Sequence, residues 1–72
     1  MELSPYQRVA DALLHALHGT TLAIFVLDLH ESGASTRAIA SLLRDATDGA
    51  VDVSNQTIKN WLDQFAHSEA AA

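Results

Sequence analysis

The chain has 72 residues, of which four are Lys or Arg, nine are Asp or Glu and none is Cys, and its formal net charge is −5. This length suits one domain with a single small core, and the lack of cysteine excludes disulfides and thiolate metal sites. With 49% hydrophobic and 18% charged residues, the composition excludes a disordered chain. The longest apolar run, 22–27, is too short to span a bilayer and no signal-peptide pattern precedes it, so we expect a cytoplasmic protein without a membrane partner.

Two helices are predicted in the first half of the chain. Ser4 and Pro5 begin the first helix as N-cap and first helical residue, and Gly19 ends it. Its predicted apolar stripe consists of Tyr6, Val9, Ala10, Leu13, Ala16 and Leu17. The second helix is opened by Thr20 and Thr21 and closed by Gly33. Its β-branched and aromatic residues also suit a buried strand, but the sequence offers no strand to pair with it, which favours the helix.

The second half predicts two more helices around a loop. Ser35 caps the third helix and Ser54 caps the fourth, while residues 45–52 carry the turn-forming residues of a loop. The inward positions are predicted to be Ile39, Leu42, Leu43 and Ala46, then Ile58, Trp61, Leu62 and Phe65, with Val53 as a hydrophobic staple. Residues 68–72 are predicted to fray. The expected fold is a small all-α, four-helix domain that covers residues 1–72.

Two strings in this half, TRAIASLL and VSNQTIKNWL, resemble the two helices of a helix-turn-helix. In that motif the first helix packs across the second. Here Ile39, Ala40 and Leu43 are the contact positions of the first helix, and Ile58 and Trp61 are apolar contact positions of the second. The resemblance is to phage repressor and Cro-type helix-turn-helix proteins; it covers residues 33–65 and puts the motif itself at 35–65. The join around 46–52 is longer than the usual turn and is similar to the elongated turn of some actinobacterial phage repressors.

The resemblance implies a sequence-specific transcriptional regulator of phage or prophage origin that occludes a promoter on a double-stranded DNA operator. Gln56 and Asn60 are the expected base readers, because amide side chains can pair bidentately with adenine. The full set of expected base contacts is Asn55, Gln56, Lys59 and Asn60. The expected phosphate contacts are Ser35, Arg37, Ser41, Arg44 and Ser54. We expect no metal, cofactor or small-molecule effector, and the apolar second helix suggests a homodimer.

Two other functions compete with this one. The net charge and the acidic loop favour a protein-interaction module that uses the same scaffold without binding DNA. Asp11, His15 and His18 share one face of the first helix, which suggests a small metal protein or enzyme. A single helix face rarely completes a coordination sphere, however, and no nucleophile is paired with a base, so this alternative is the weaker one.

Overall fold

A computed structural model describes the backbone of residues 2–71 and the side chains of residues 2–67. Its four helices are α1 (Pro5–His18), α2 (Leu22–Glu31), α3 (Thr36–Ala46) and α4 (Asn55–Ala71). No strand occurs among the described residues, so the fold is all-α and the strand alternative for the second segment is wrong. The predicted frayed tail, 68–72, is helical as far as Ala71; Ala72 and the side chains after His67 lie outside the described residues.

Each helix begins where a hydroxyl side chain can satisfy an otherwise unpaired backbone N–H. The four hydroxyl groups accept bonds from residues three positions further along, at distances of 3.1 to 3.3 Å. These capping residues are Ser4, Thr21, Ser35 and Ser54. The helix starts that the sequence predicts are therefore confirmed. Each N-cap contributes about 1 kcal/mol, because it pairs a backbone N–H that would otherwise have no partner within the helix.

The buried face of α1 differs from the predicted stripe. Its buried residues are Gln7, Ala10 and Leu14, whereas Val9 is 60% and Leu17 is 55% exposed. Tyr6 and Ala16 are also exposed and Leu13 is half-buried, so Ala10 alone of the predicted stripe is buried. The cause is a polar residue in the interior: the Gln7 amide donates to Gln64 Oε1 (3.1 Å), and its Oε1 accepts from the Ser4 backbone N–H (2.9 Å).

The junction between α1 and α2 is a sharp corner. Gly19 adopts φ 65°, a left-handed conformation that glycine takes without steric cost and that ends α1. Across the corner the Asp11 carboxylate accepts a hydrogen bond from the Leu22 backbone N–H at 2.8 Å. None of the described helices alone is long and apolar enough to cross a bilayer; α1 and α2 meet that test only as a pair, which is bent by 79°.

One apolar cluster joins all four helices. The predicted inward residues of α4 are confirmed as buried, as are Ile39 and Leu43 of α3, and Ala46 at the end of α3 is half-buried against the core. Leu42 was predicted to face inward and does not: it is 44% exposed. Successive helical residues are rotated by about 100°, so a buried stripe centred on Ile39 and Leu43 turns Leu42 toward solvent.

Candidate nucleic-acid interface

The turn between α3 and α4 begins later than the sequence predicts. Asp45 and Ala46, assigned to the loop from the sequence, belong to the last turn of α3. The chain then reverses through Asp48 (φ 56°) and Gly49 (φ 84°), and the Gly49 N–H donates to the Arg44 carbonyl at 2.8 Å. This bond satisfies a carbonyl that the end of an α-helix leaves without a partner.

Thr47 fixes the shape of this turn from the inside. Its side chain is buried, with 2% of the residue exposed. The hydroxyl group donates to the Leu43 carbonyl (2.9 Å) and accepts from the Val51 backbone N–H (3.0 Å). Val51 is itself 1% exposed and belongs to the apolar core. The long turn is therefore an ordered segment anchored in the core.

The far end of the turn is held by α1. The Asp52 backbone N–H donates to the Tyr6 hydroxyl oxygen at 3.3 Å, and the Tyr6 ring lies 6.3 Å from the Trp61 ring at an interplanar angle of 45°. Val53 packs half-buried against the core, consistent with its predicted role as a staple. These contacts fix the point at which α4 begins.

The predicted phosphate contacts of α3 meet the first residue of α4 in one open concavity of about 230 Å³. Its lining residues are Arg37, Ala40, Ser41, Arg44, Asp52, Val53 and Asn55. Asn55, predicted to contact bases, thus lies beside the arginines. Ser35 and Ser54, also predicted to contact phosphate, are helix caps outside the lining of this concavity.

None of the described carboxylates pairs with Arg37 or Arg44. Within the described part of the chain, the one ion pair closer than 4.0 Å is the exposed His67–Asp63 contact at 3.8 Å. Asp52 lines the same concavity as Arg37 and Arg44 but forms no ion pair with either of them. Both guanidinium groups can therefore bind an external anion without first breaking an internal salt bridge.

The outward face of α4 carries the other predicted contacts. Gln56, Lys59, Asn60, Asp63 and His67 are all exposed. The Gln56 side-chain Nε2 donates to Asn60 Oδ1 at 3.2 Å, which joins the two predicted base readers one helical turn apart. Lys59 lies on the flank of α4 that faces His30 and Thr36, where these residues line a second, wider cleft.

The residues behind the metal alternative have structural uses. The Asp11 carboxylate accepts from the first backbone N–H of α2. His18 donates from Nε2 to the Ala46 carbonyl at 2.7 Å and so satisfies an unpaired carbonyl at the C-terminal end of α3. His15 is exposed. In the part of the chain that the structure describes, no three His, Asp or Glu residues are grouped so that they could hold a metal ion.

Comparison with known proteins gives no match: no protein family, curated protein or solved structure is significantly similar to this chain. Its function must therefore be inferred from the geometry described above.

Proposed function

We propose that the protein is a sequence-specific regulator of transcription that binds double-stranded DNA through a helix-turn-helix formed by α3 and α4. One observation carries the proposal. Arg37, Ser41 and Arg44 line an open concavity together with the first residue of α4, and neither arginine is paired with any carboxylate that the structure describes. Arginine guanidinium groups and serine hydroxyls are typical phosphate ligands.

In the proposed mechanism, α3 binds the DNA backbone and α4 contacts the bases. A backbone phosphate bound by Arg37 and Arg44 would fix the position of the chain on the duplex without reading sequence. The first half of α4 would then enter the major groove, where Gln56 and Asn60 face the base edges. A protein bound in this way at a promoter blocks the access of RNA polymerase, which is the regulatory effect we propose.

The chain has four Lys and Arg residues and a net charge of −5, so few cationic groups are available to neutralise phosphates. Three cationic side chains, Arg37, Arg44 and Lys59, lie on the proposed interface. Release of counterions from three phosphates predicts a slope of about −3 in a plot of log affinity against log salt. Base contacts must therefore supply much of the affinity, and binding to random DNA should be weak at physiological salt.

The first experiment is selection of bound sequences from a pool of random duplexes at moderate salt, which should enrich one motif. Affinities of variants for that operator and for random DNA then test the division of work. Gln56→Ala and Asn60→Ala should each weaken operator binding by about 1 to 3 kcal/mol with little effect on random DNA. Arg37→Ala and Arg44→Ala should weaken both and reduce the salt slope by about one unit each.

A matched control is available on α1. Arg8 carries the same charge and is exposed, but it borders a cleft with Ser4, Pro5 and Gln64 on another part of the surface. Arg8→Ala should leave both affinities and the salt slope unchanged. Failure to enrich any motif, combined with no binding to duplex DNA at low salt, would refute the proposal.

A specific observation favours the protein-interaction module as the second candidate. Val9, Leu17 and Ile24 are large apolar residues on α1 and α2 that remain more than half exposed. A partner protein could cover them, and such binding would not need the arginines of α3. Two results together would favour this function. The wild-type chain would have no measurable affinity for duplex DNA, and the Arg37→Ala, Arg44→Ala double variant would still bind the partner protein.

The homodimer is also proposed rather than established. The apolar surface of α2, which suggested it, is largely used inside the chain: Leu22 and Val26 are buried, and Phe25, Leu27 and Leu29 are partly buried against the core. Sedimentation at micromolar concentration distinguishes a monomer from a dimer. A two-fold dimer should also enrich an operator with two half-sites one helical turn apart.

A further inference from the structure

The hydrogen bond between Gln56 and Asn60 restricts how the two amides can meet a ligand. Each free amide can rotate to exchange its oxygen and its amino group, so each could pair bidentately with adenine on its own. In the structure one Gln56 N–H is donated to Asn60 Oδ1 at 3.2 Å. Both side chains are exposed, and the bond is part of the outward face of α4.

The bond favours one relative orientation of the two amides. The Gln56 carbonyl oxygen has no partner in this bond and remains a hydrogen-bond acceptor, while both N–H groups of Asn60 remain donors. Gln56 also keeps its second N–H, so the outward face presents an acceptor beside one donor at position 56 and two donors at position 60. Four helical residues span about 6 Å along the axis, which is close to the separation of next-neighbouring base pairs, about 6.8 Å.

We infer that Gln56 and Asn60 read DNA as one coupled unit, in which Asn60 donates to the N7 acceptor of a purine and Gln56 accepts from the exocyclic amino group of adenine or cytosine nearby. This inference rests on the proposed function. It differs from independent adenine recognition by each amide, because loss of either side chain frees the other to rotate. Each single substitution should therefore relax the base preference at both positions.

A double-mutant cycle on the operator tests the coupling. Gln56→Ala and Asn60→Ala should each reduce discrimination about 10-fold at both base positions, and the double variant should be no more than about threefold worse than the weaker single variant. Asn55 supplies the matched control, because it is an exposed amide on α4 that borders the arginine concavity and has no bond to Asn60. The fold losses of Asn55→Ala and Asn60→Ala should multiply.

A conservative variant separates the two base positions. Asn60→Asp keeps an oxygen that can accept from Gln56 but removes the amino donor, so the preference at the Gln56 position should survive while the purine preference is lost. Preferences are measured as ratios between operators of equal charge, so the added carboxylate does not distort them. Circular dichroism confirms that each variant is folded.

The outcomes distinguish this inference from the function on which it rests. Multiplicative losses for Gln56 and Asn60, each confined to one base position, would overturn the coupling while the protein remained a DNA-binding regulator. If the wild-type chain binds no duplex at low salt, the proposed function fails and the inference fails with it. Shared losses at both positions, together with the expected result for Asn60→Asp, support it.

Discussion

Two turns flank α3, and they keep their shapes by different means. The turn between α2 and α3, residues 32–35, relies on local backbone geometry: Gly33 has φ 98°, and its N–H donates to the His30 carbonyl at 3.1 Å. The turn between α3 and α4, residues 47–54, is twice as long and depends on side chains. Thr47 bonds to Val51 inside it, and Tyr6 of α1 bonds to its far end.

This contrast shows why the longer turn can hold α4 in one position relative to α3. A long connection without internal anchors would let α4 move relative to α3. Here the turn carries two buried residues, Thr47 and Val51, and a buried hydrogen bond between them, so its end is fixed with respect to the arginines of α3. The short turn needs neither, because a single left-handed glycine is sufficient to redirect the chain.

The largest effect is expected when the apolar anchor of the long turn is truncated. Val51→Ala removes two carbon atoms from a fully buried site, which should lower the free energy of unfolding by about 2 to 3 kcal/mol. Val53→Ala is the control, because Val53 is only half-buried and should cost less. Urea denaturation of both variants measures the difference. Equal losses would contradict an anchor at Val51.

The hydroxyl anchor should rank next. Thr47→Val keeps the side-chain shape but leaves the buried Val51 N–H without an acceptor, at a cost of about 1 to 3 kcal/mol. Thr47→Ser retains the hydroxyl and loses one methyl group, which should cost about 0.8 kcal/mol. Stability should therefore fall in the order wild type, serine variant, valine variant, as measured by denaturation midpoints. A valine variant as stable as wild type would show that the hydroxyl contributes nothing to the turn.

In the short turn the sensitive residue is Gly33. A Cβ atom added there meets no atom within 4 Å, so Gly33→Ala tests backbone conformation alone. We expect a loss of about 1 kcal/mol, because alanine at positive φ is strained. DNA affinity of the folded variant should stay at the wild-type level, since this turn does not line the arginine concavity. A neutral effect on stability would mean that the turn can adopt another conformation.

The smallest effect concerns the charge of the long turn. Asp48 has positive φ and follows the C-terminal end of α3, where a negative charge is unfavourable. Asp48→Asn should raise stability by about 0.5 kcal/mol, whereas Asp48→Ala should lower it, because alanine tolerates this conformation poorly. If the turn is a spacer, neither variant changes the preferred DNA sequence, and the Asp48→Asn variant should bind DNA equally well or more tightly. A changed sequence preference would identify the turn as a base reader.

The sequence predicts those parts of the fold that depend on local chemistry. The hydroxyl caps, Gly19 and the apolar spacing of α4 each act within a few residues, and the structure has all of them. Which face of α1 is buried could not be predicted in this way, because the polar residue Gln7 is buried and its hydrogen-bond partner, Gln64, lies in α4. Local patterns carry no information about a partner so distant.

The same limit applies to the candidate site. That Arg37 and Arg44 share one face of α3 follows from helical spacing, but their meeting with Asn55 depends on the path of the long turn. Val51 could have been found: residues 50–53 include two valines separated by an aspartate, and the buried valine lies in that extended segment. No comparable sequence pattern marks Thr47. A buried threonine in a loop cannot be distinguished from an exposed one until the positions of its hydrogen-bond partners are known.

The amide pair of Gln7 and Gln64 has a consequence for the order of folding. It joins residues 57 positions apart, so closing this contact costs more chain entropy than any contact within the segment from α2 to α4. α1 also packs against α2 and α3, so much of its inner face can be covered before α4 has emerged from the ribosome, and the Gln7 amide must wait for its partner. We therefore expect the Gln7–Gln64 bond to form late in folding, so that substitutions at Gln7 accelerate unfolding and leave the folding rate nearly unchanged.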